Sequence, residues 1–585
     1  MYRPLHKMKS RRPDTVAAMQ NATSWQAADD SLPAAAKALQ VWPLDASNAS
    51  LLDSVHPRSW QPADHEESHV YDIIAVGAGA GGLVTSKQAA RRGARSAMIS
   101  EHLAGGDCLN VGCVPSKALL HCARVAREAR AAIAEGILIE EGTTRAPNLA
   151  VNFGAVMARM RRLRARIAVN DSHEATVLAG ADVFQGRGRF VGPNEIQVNG
   201  RTLRFKKACI ATGGRAAVPQ VEGLSNAPYL TNATLFNLCS LPRRMVVLGA
   251  GAVGLEMAQA FANFGCKVTC LVRSTVLSKE EPAAGEAVRR ALQADGVKFL
   301  DAADLFRVET VRVGGGAYAE GGQMPLLRVT VGCKHPGRDE TVMELECEAL
   351  LVASGRLPNV EDLGLEAAGI HVAADGIKID DYARTSNPNV FAVGDCASGV
   401  PNFTHVSGEM AKLVVQNALF DDSWRVSSLV VPRCAYTEPE VAGVGLTRRE
   451  AEQRGDAVDT YRTTLEHNDR AICEGRDAEG GFVEVLCERG TDRVLGALVV
   501  AANAGDMINE LSVAIQAGVG LNVLARVIHP YPTLGEAVMG AALNIVRKHW
   551  KKLEPETSLG SIASEGFAPE IDDSRYSPVK ELRLR

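Results

Sequence analysis

The sequence predicts an α/β chain of two to four domains, two of them doubly wound around parallel sheets, and three observations carry this. The chain has 585 residues, too many for one ordinary hydrophobic core. One supersecondary unit occurs twice: Gly77–Glu101 superposes without a gap on Gly249–Arg273, with both glycine triplets and Gly93/Gly265 in register. Each copy follows a short apolar strand, Tyr71–Val76 or Met245–Leu248, opens an Ala-rich helix and closes into a second strand. That strand–turn–helix–strand context is the one in which G-x-G-x-x-G carries meaning.

Composition narrows the class. The chain is 46% hydrophobic and 23% charged, so wholesale disorder is excluded. Lys plus Arg (64) against Asp plus Glu (68) leaves a net charge of −4, no electrostatic footprint for nucleic acid or an anionic membrane. No apolar run reaches the length of a membrane span; Leu495–Ala502 ends in polar sequence. Thirteen scattered cysteines, an odd number, read as reduced intracellular thiols, and a cytoplasmic location is expected.

Residues 1–70 are rich in Ala, Ser, Asp and Pro without sustained periodicity, and read as an extension outside the fold. Arg3, Lys7, Lys9, Arg11 and Arg12 precede the first acid, Asp14, which suits either the start of an organelle transit peptide or a plain basic tail. Eight acidic residues up to Glu67 argue against a targeting role for the whole segment, while Trp25, Trp42 and Trp60 point to docking of part of it. Residues 553–585 read as a peripheral polar tail.

In the first glycine triplet, Gly77 makes the tight turn, Gly79 lets backbone approach a pyrophosphate, and Gly82 packs helix on strand; Gly249, Gly251 and Gly254 repeat this. At one common offset from the first glycine stand Glu101, which accepts from a ribose diol, and Arg273, which instead pairs a 2′-phosphate. The first site therefore suits an unphosphorylated adenosine and the second NADPH. Read as a mere solvated strand-end cation, Arg273 leaves NADH as the donor.

Gly105–Lys117 reads GGDCLNVGCVPSK. Cys108 and Cys113 can close a small disulfide loop, and a helix beginning near Val114 would lower the Cys113 thiol pKa through its N-terminal dipole. A redox-active pair is the natural reading, with two structural cysteines as the bland one. Half a zinc site fails for want of a second ligand pair.

Here the sequence closely resembles the pyridine nucleotide-disulfide oxidoreductases of the glutathione reductase, lipoamide dehydrogenase and mercuric reductase group, from about Tyr71 to Trp550. Supporting motifs are Ala211-Thr212-Gly213-Gly214, Ala353-Ser354-Gly355-Arg356-Leu357-Pro358-Asn359, Thr385 through Phe391-Ala392-Val393-Gly394-Asp395, and Thr437–Gly445. The resemblance implies two Rossmann-like FAD and NAD(P) binding domains plus a C-terminal α+β dimerisation domain. FAD would occupy 71–215 and 351–430, NAD(P) 216–350, and the dimer contact 431–552. It further implies FAD contacts at Gly188, Thr212, Gly213, Gly355, Gly394 and Asp395, the last holding the ribityl chain. Cys113 would be the flavin-proximal thiolate and Cys108 the exchange thiol, with Lys117 and Glu256 as a buried pair beside the flavin.

The chain also departs from that family. In His529-Pro530-Tyr531-Pro532-Thr533-Leu534-Gly535-Glu536, Glu536 keeps its place but the general-base histidine falls on Tyr531. A phenol is poorly matched to protonating a leaving thiolate near neutral pH, which counts against glutathione or lipoamide turnover. His529, two residues away, is the less favoured candidate for that base. A tyrosine here, with Val272-Arg273-Ser274-Thr275, resembles mercuric reductases, although the C-terminal cysteine pair of those enzymes is missing. Three readings follow: an FAD enzyme passing electrons from NADPH through Cys108/Cys113 to a small acceptor (metal ion, quinone or disulfide), a lipoamide-dehydrogenase-type component, and a non-catalytic redox sensor or binding module. A homodimer is expected in each catalytic case.

Overall fold

A computed structural model describes residues 41–548 apart from 67, 141–148, 314–323, 335–336, 338 and 422. The basic segment at the start of the chain, Trp25 and the tail 553–585 lie outside the described residues. The chain enters through helix α1 (Ala46–Val55) and then the first domain: β1 (Val70–Val76), α2 (Ala80–Arg91), β2 (Ser96–Ser100), α3 (Gly106–Asn110), α4 (Cys113–Ala134), α5 (Phe153–Ala168), β3 (Ala181–Gln185), β4 (Arg189–Gly192), β5 (Glu195–Val198) and β6 (Arg201–Ile210). Its strands lie in the order β3-β2-β1-β6-β5-β4; the first three pairings are parallel and the last two antiparallel. β1 is buried almost throughout, as a strand covered on both faces must be.

The repeat builds the second domain from β7 (Arg244–Leu248), α6 (Ala252–Phe264), β8 (Lys267–Val272), β9 (Lys298–Asp301) and β10 (Ala349–Val352), a parallel sheet ordered β9-β8-β7-β10. The chain then returns to the first domain: β11 (Val390–Ala392) pairs in parallel with β6, and α7 (Thr404–Leu419) packs on α2. The first domain is thus assembled from two separate stretches of sequence.

The third domain holds β12 (Pro432–Ala435), β13 (Glu440–Gly445), β14 (Val458–Thr464), α8 (Asp469–Cys473), β15 (Phe482–Glu488), β16 (Val494–Ala501), α9 (Ala504–Ala517) and α10 (Glu536–Lys548). Its antiparallel sheet runs β12-β13-β16-β15-β14, and Val485, Val499, Leu511, Ala541 and Ala542 share its core. Among the described residues no helix is long and apolar enough to cross a membrane.

The expectation that residues 1–70 stand outside the fold is corrected from residue 41 onward. In α1, Asn48, Leu51, Leu52 and Val55 form one buried face at helical spacing, and the Trp60 indole Nε1 donates to the Val183 carbonyl at 2.9 Å. For Trp60, the docking that the sequence suggests is docking onto this chain's own first domain.

Candidate active site

Both glycine triplets sit between a first strand and its helix, at the carboxyl end of a parallel sheet where such folds bind ligands. A Cβ on Gly82 would overlap the Gly77 carbonyl oxygen, and one on Gly254 that of Gly249, so the third glycines serve packing. The middle glycines face open space instead: Gly79 has only Gly106 Cα, 3.8 Å from an added Cβ, and Gly251 has nothing within 4 Å. Each turn thus leaves room for a pyrophosphate against bare backbone at a helix N-terminus.

Around the first turn, Glu101 follows β2 and accepts from Arg187 Nη1 at 3.1 Å. The Thr212 hydroxyl donates to the Asn359 carbonyl at 2.6 Å, and Asn359 Nδ2 returns a bond to the Thr212 carbonyl at 3.1 Å. That exchange fastens Thr212-Gly213 to the segment carrying Gly355. Gly394-Asp395 follows β11, and Asp395 Oδ2 accepts from Arg356 Nε at 2.8 Å. The same guanidinium donates to Asp107 Oδ2 at 2.6 Å and to the Gly214 carbonyl at 2.9 Å. Gly188 has a packing role: an added Cβ would stand 3.1 Å from the Ile99 side chain. The open turn, the carboxylates of Glu101 and Asp395 and the free backbone around them fit FAD. At the second turn, Arg273 lies just past β8, exposed and without a carboxylate partner among the described residues, as a 2′-phosphate would require.

The thiols lie between these cradles. α3 carries Cys108, and α4 begins at Cys113 itself, so the Cys113 sulfur stands at the positive end of a 22-residue helix. Both are free thiols, Cys108 half-buried and Cys113 exposed. Cys113 Sγ is 3.3 Å from Thr404 Oγ1, at the start of α7. Its thiol is pushed down to about 6, first by hydrogen bonding from Cys108, then by Thr404 and the Lys117 charge, against an opposing effect of burial. Cys108 is pushed up by that same interaction with Cys113 and by burial, so the negative charge of the pair rests on Cys113.

Lys117, one turn along α4, points its Nζ to Glu256 Oε2 at 2.9 Å. Glu256 is buried on α6, and its other oxygen accepts from the Tyr436 backbone N–H at 3.0 Å. The Lys117 ammonium also lies 4.1 Å from the centre of the Tyr436 ring. Sequence reasoning identifies Cys108, Cys113, Lys117 and Glu256 but not Thr404, Tyr436, Asp107 or the bridging role of Arg356. For Arg356 the signal is its place in the Gly355–Asn359 motif; Thr404 and Tyr436 have none.

Tyr531 and Glu536 belong to a different surface. Tyr531 is 71% exposed, and its hydroxyl donates to Asp469 Oδ2 on α8 at 2.6 Å. Glu536 begins α10 and accepts from the Thr533 N–H at 2.9 Å. His529 turns inward, its ring nitrogens 3.1 Å from Glu510 Oε2 and 3.0 Å from the Val527 carbonyl. Neither Tyr531 nor Glu536 has a polar contact with Cys108 or Cys113 of the same chain.

Two family models match: the pyridine nucleotide-disulphide oxidoreductase over residues 71–411, and the dimerisation domain of that family over 431–542. A mercuric reductase of Lysinibacillus sphaericus is 32% identical over 82% of this chain and 84% of its own. A dihydrolipoyl dehydrogenase of Staphylococcus aureus is 32% identical over 80% of this chain and 96% of its own. The Cu(II) complex of the HOCl-induced flavoprotein disulfide reductase RclA from Escherichia coli has the same fold, with a TM-score of 0.68 at 24% identity, covering 82% of this chain and 100% of that one. The chain belongs to the pyridine nucleotide-disulphide oxidoreductases, enzymes that use FAD and NAD(P)H.

Proposed function

We propose that this family member takes electrons from NADPH in preference to NADH and delivers them through Cys108/Cys113 to a small acceptor that needs no proton relay, a soft metal ion as substrate being the best fit. The observation that carries the reading is the place of Cys113 at the N-terminus of α4, its sulfur 3.3 Å from Thr404 Oγ1 and Lys117 one turn along, an arrangement that with Cys108 lowers its thiol pKa. A thiolate beside a thiol is a ligand set for a soft cation. When bound, FAD relays the electron pair between nicotinamide and disulfide. Glu101 would hold its adenosine ribose, Asp395 its ribityl chain, and Lys117, braced by Glu256, the region of its ring; Arg273 would hold the 2′-phosphate of NADPH. Two electrons and one proton open the disulfide to a Cys113 thiolate and a Cys108 thiol. The pair then returns both electrons to the acceptor, re-forms the S–S bond and releases the proton.

The dimerisation domain supports a homodimer, in which Tyr531 and Glu536 of the partner subunit would face Cys108 and Cys113. Similarity to dihydrolipoyl dehydrogenase favours lipoamide as a second reading; Tyr531, hydrogen-bonded to Asp469, and the unpaired Arg273 count against it. Steady-state assays of the flavin-loaded dimer with Hg(II), Cu(II), quinones, glutathione disulfide and lipoamide, each with NADPH and NADH, test the proposal. Metal-ion reduction should exceed lipoamide reduction at least tenfold, by about 1.4 kcal/mol of transition-state stabilisation. Lipoamide turnover equal to the best acceptor overturns the acceptor reading, and a folded but colourless protein overturns the flavin.

A further inference from the structure

We infer that the segment Asp45–His56, which precedes the residues matched by the family, is a positioning element for the Cys108/Cys113 loop. The inference rests on the redox role proposed above for those cysteines. The Asp45 side chain caps α1 by accepting from the Asn48 N–H at 2.9 Å, and Leu51 and Val55 share one core with Leu109, Ala104 and Ala165. Two of those partners, Ala104 and Leu109, belong to the loop itself.

Hydrogen bonds fasten both ends of the loop to α1. At the entry, the Ala104 N–H donates to the Val55 carbonyl at 3.0 Å, and His56 Nδ1 lies 3.3 Å from the His102 carbonyl. Arg164, only 1% exposed, holds the exit: Nη2 donates to Asn48 Oδ1 at 2.7 Å and Nη1 to the Asn110 carbonyl at 2.6 Å. Asn110 Nδ2 returns bonds to the Ala104 and Gly106 carbonyls at 3.0 and 2.9 Å, closing the loop on itself. Asn48 is also fixed at its other end, Nδ2 donating to the Pro43 carbonyl at 2.7 Å. A buried guanidinium that loses one of its two acceptors keeps an unsatisfied donor in the core or leaves its place, and either outcome strains its remaining bond to Asn110. Nearby Arg161 donates to Asp45 Oδ2 at 2.6 Å, a second tie between α1 and α5.

Asn48→Ala, made in the full-length, flavin-loaded enzyme, tests this. The reduced protein is alkylated with iodoacetamide, modification is quantified at Cys108, Cys113 and the buried Cys209, and the long-wavelength absorbance of the Cys113 thiolate against the flavin is recorded. Loss of one charge-assisted bond to a buried group should raise Cys108 alkylation about tenfold through local opening, with Cys209 unchanged. The long-wavelength band should fall by about half as the loop shifts. Asn48→Asp, which still presents an acceptor to Arg164, should restore both signals. His56→Ala removes the ring contact with the His102 carbonyl, together with the one to Gln185 Nε2 at 2.7 Å on β3, and should move them in the same direction, which keeps the test open if Asn48→Ala does not fold. Unchanged Cys108 alkylation and band in both variants, or a Cys108 rate rising in step with Cys209, overturns the inference. Failure of wild-type enzyme to cycle Cys108 and Cys113 at all would instead overturn the redox reading beneath it.

Discussion

The Tyr531 hydroxyl donates to the Asp469 carboxylate at 2.6 Å. That bond and the nearby negative charge raise the phenol pKa, so Tyr531 stays protonated across the neutral range and cannot act as a base there. Tyr531→Phe should therefore lower reduction of the best acceptor no more than about threefold, because the bond it loses is to Asp469 and not to the reacting thiols. Tyr531→His should create or raise lipoamide or glutathione turnover. Comparing kcat/KM for both variants checks this, and a loss of a hundredfold or more in Tyr531→Phe would assign the hydroxyl a direct part in the chemistry.

Cys113 has the strongest pH signature in the site. An ordinary cysteine titrates near 8.5, whereas this one is pushed down to about 6, so at neutral pH it is mostly thiolate. Alkylation of Cys113 and the long-wavelength band of the reduced enzyme should both be fully developed above that value and disappear as pH falls through it. Cys113→Ser should abolish the band, and Cys108→Ser should show it without added reductant. A band titrating near 8.5 would mean that Cys108, Thr404 and Lys117 do not stabilise the charge.

Local chemistry is what the sequence makes legible here. The glycine triplets and the cysteine pair are set by short spacings and read directly, whereas Lys117 and Glu256 enter only through the family resemblance. Thr404 meets Cys113 from 291 residues away, and Tyr436 reaches Glu256 through its backbone N–H, a contact any residue but proline could make. Helix α1 escapes notice for a different reason. Its buried face includes Asn48, which looks like a surface residue until Arg164 is seen behind it, and the surrounding Ala, Ser and Asp dilute the apolar period.

Arg273 stands exposed past β8 with no carboxylate partner among the described residues. A single charge-assisted contact to a 2′-phosphate is worth about 1.5 to 3 kcal/mol, so NADPH should be preferred over NADH by roughly tenfold to a hundredfold in kcat/KM. Arg273→Glu should narrow or invert that ratio, by removing the attraction and adding repulsion. Equal values for the two nucleotides in wild type would show that Arg273 only faces solvent.

Arg356 joins Asp107, the residue before Cys108, to Asp395, with distances of 2.6 and 2.8 Å to the two carboxylates. Without the guanidinium, two carboxylates would face one another across the site proposed for FAD. Arg356→Met should therefore weaken FAD retention by about 2 kcal/mol, roughly thirtyfold in dissociation constant, measured by the fluorescence of released flavin. Much of that cost is repulsion from Asp107, so in an Asp107→Asn background the same substitution should cost only about threefold. Equal losses in the two backgrounds would mean that Asp107 and Arg356 act independently, and that their ion pair does not tie the cysteine loop to the flavin site.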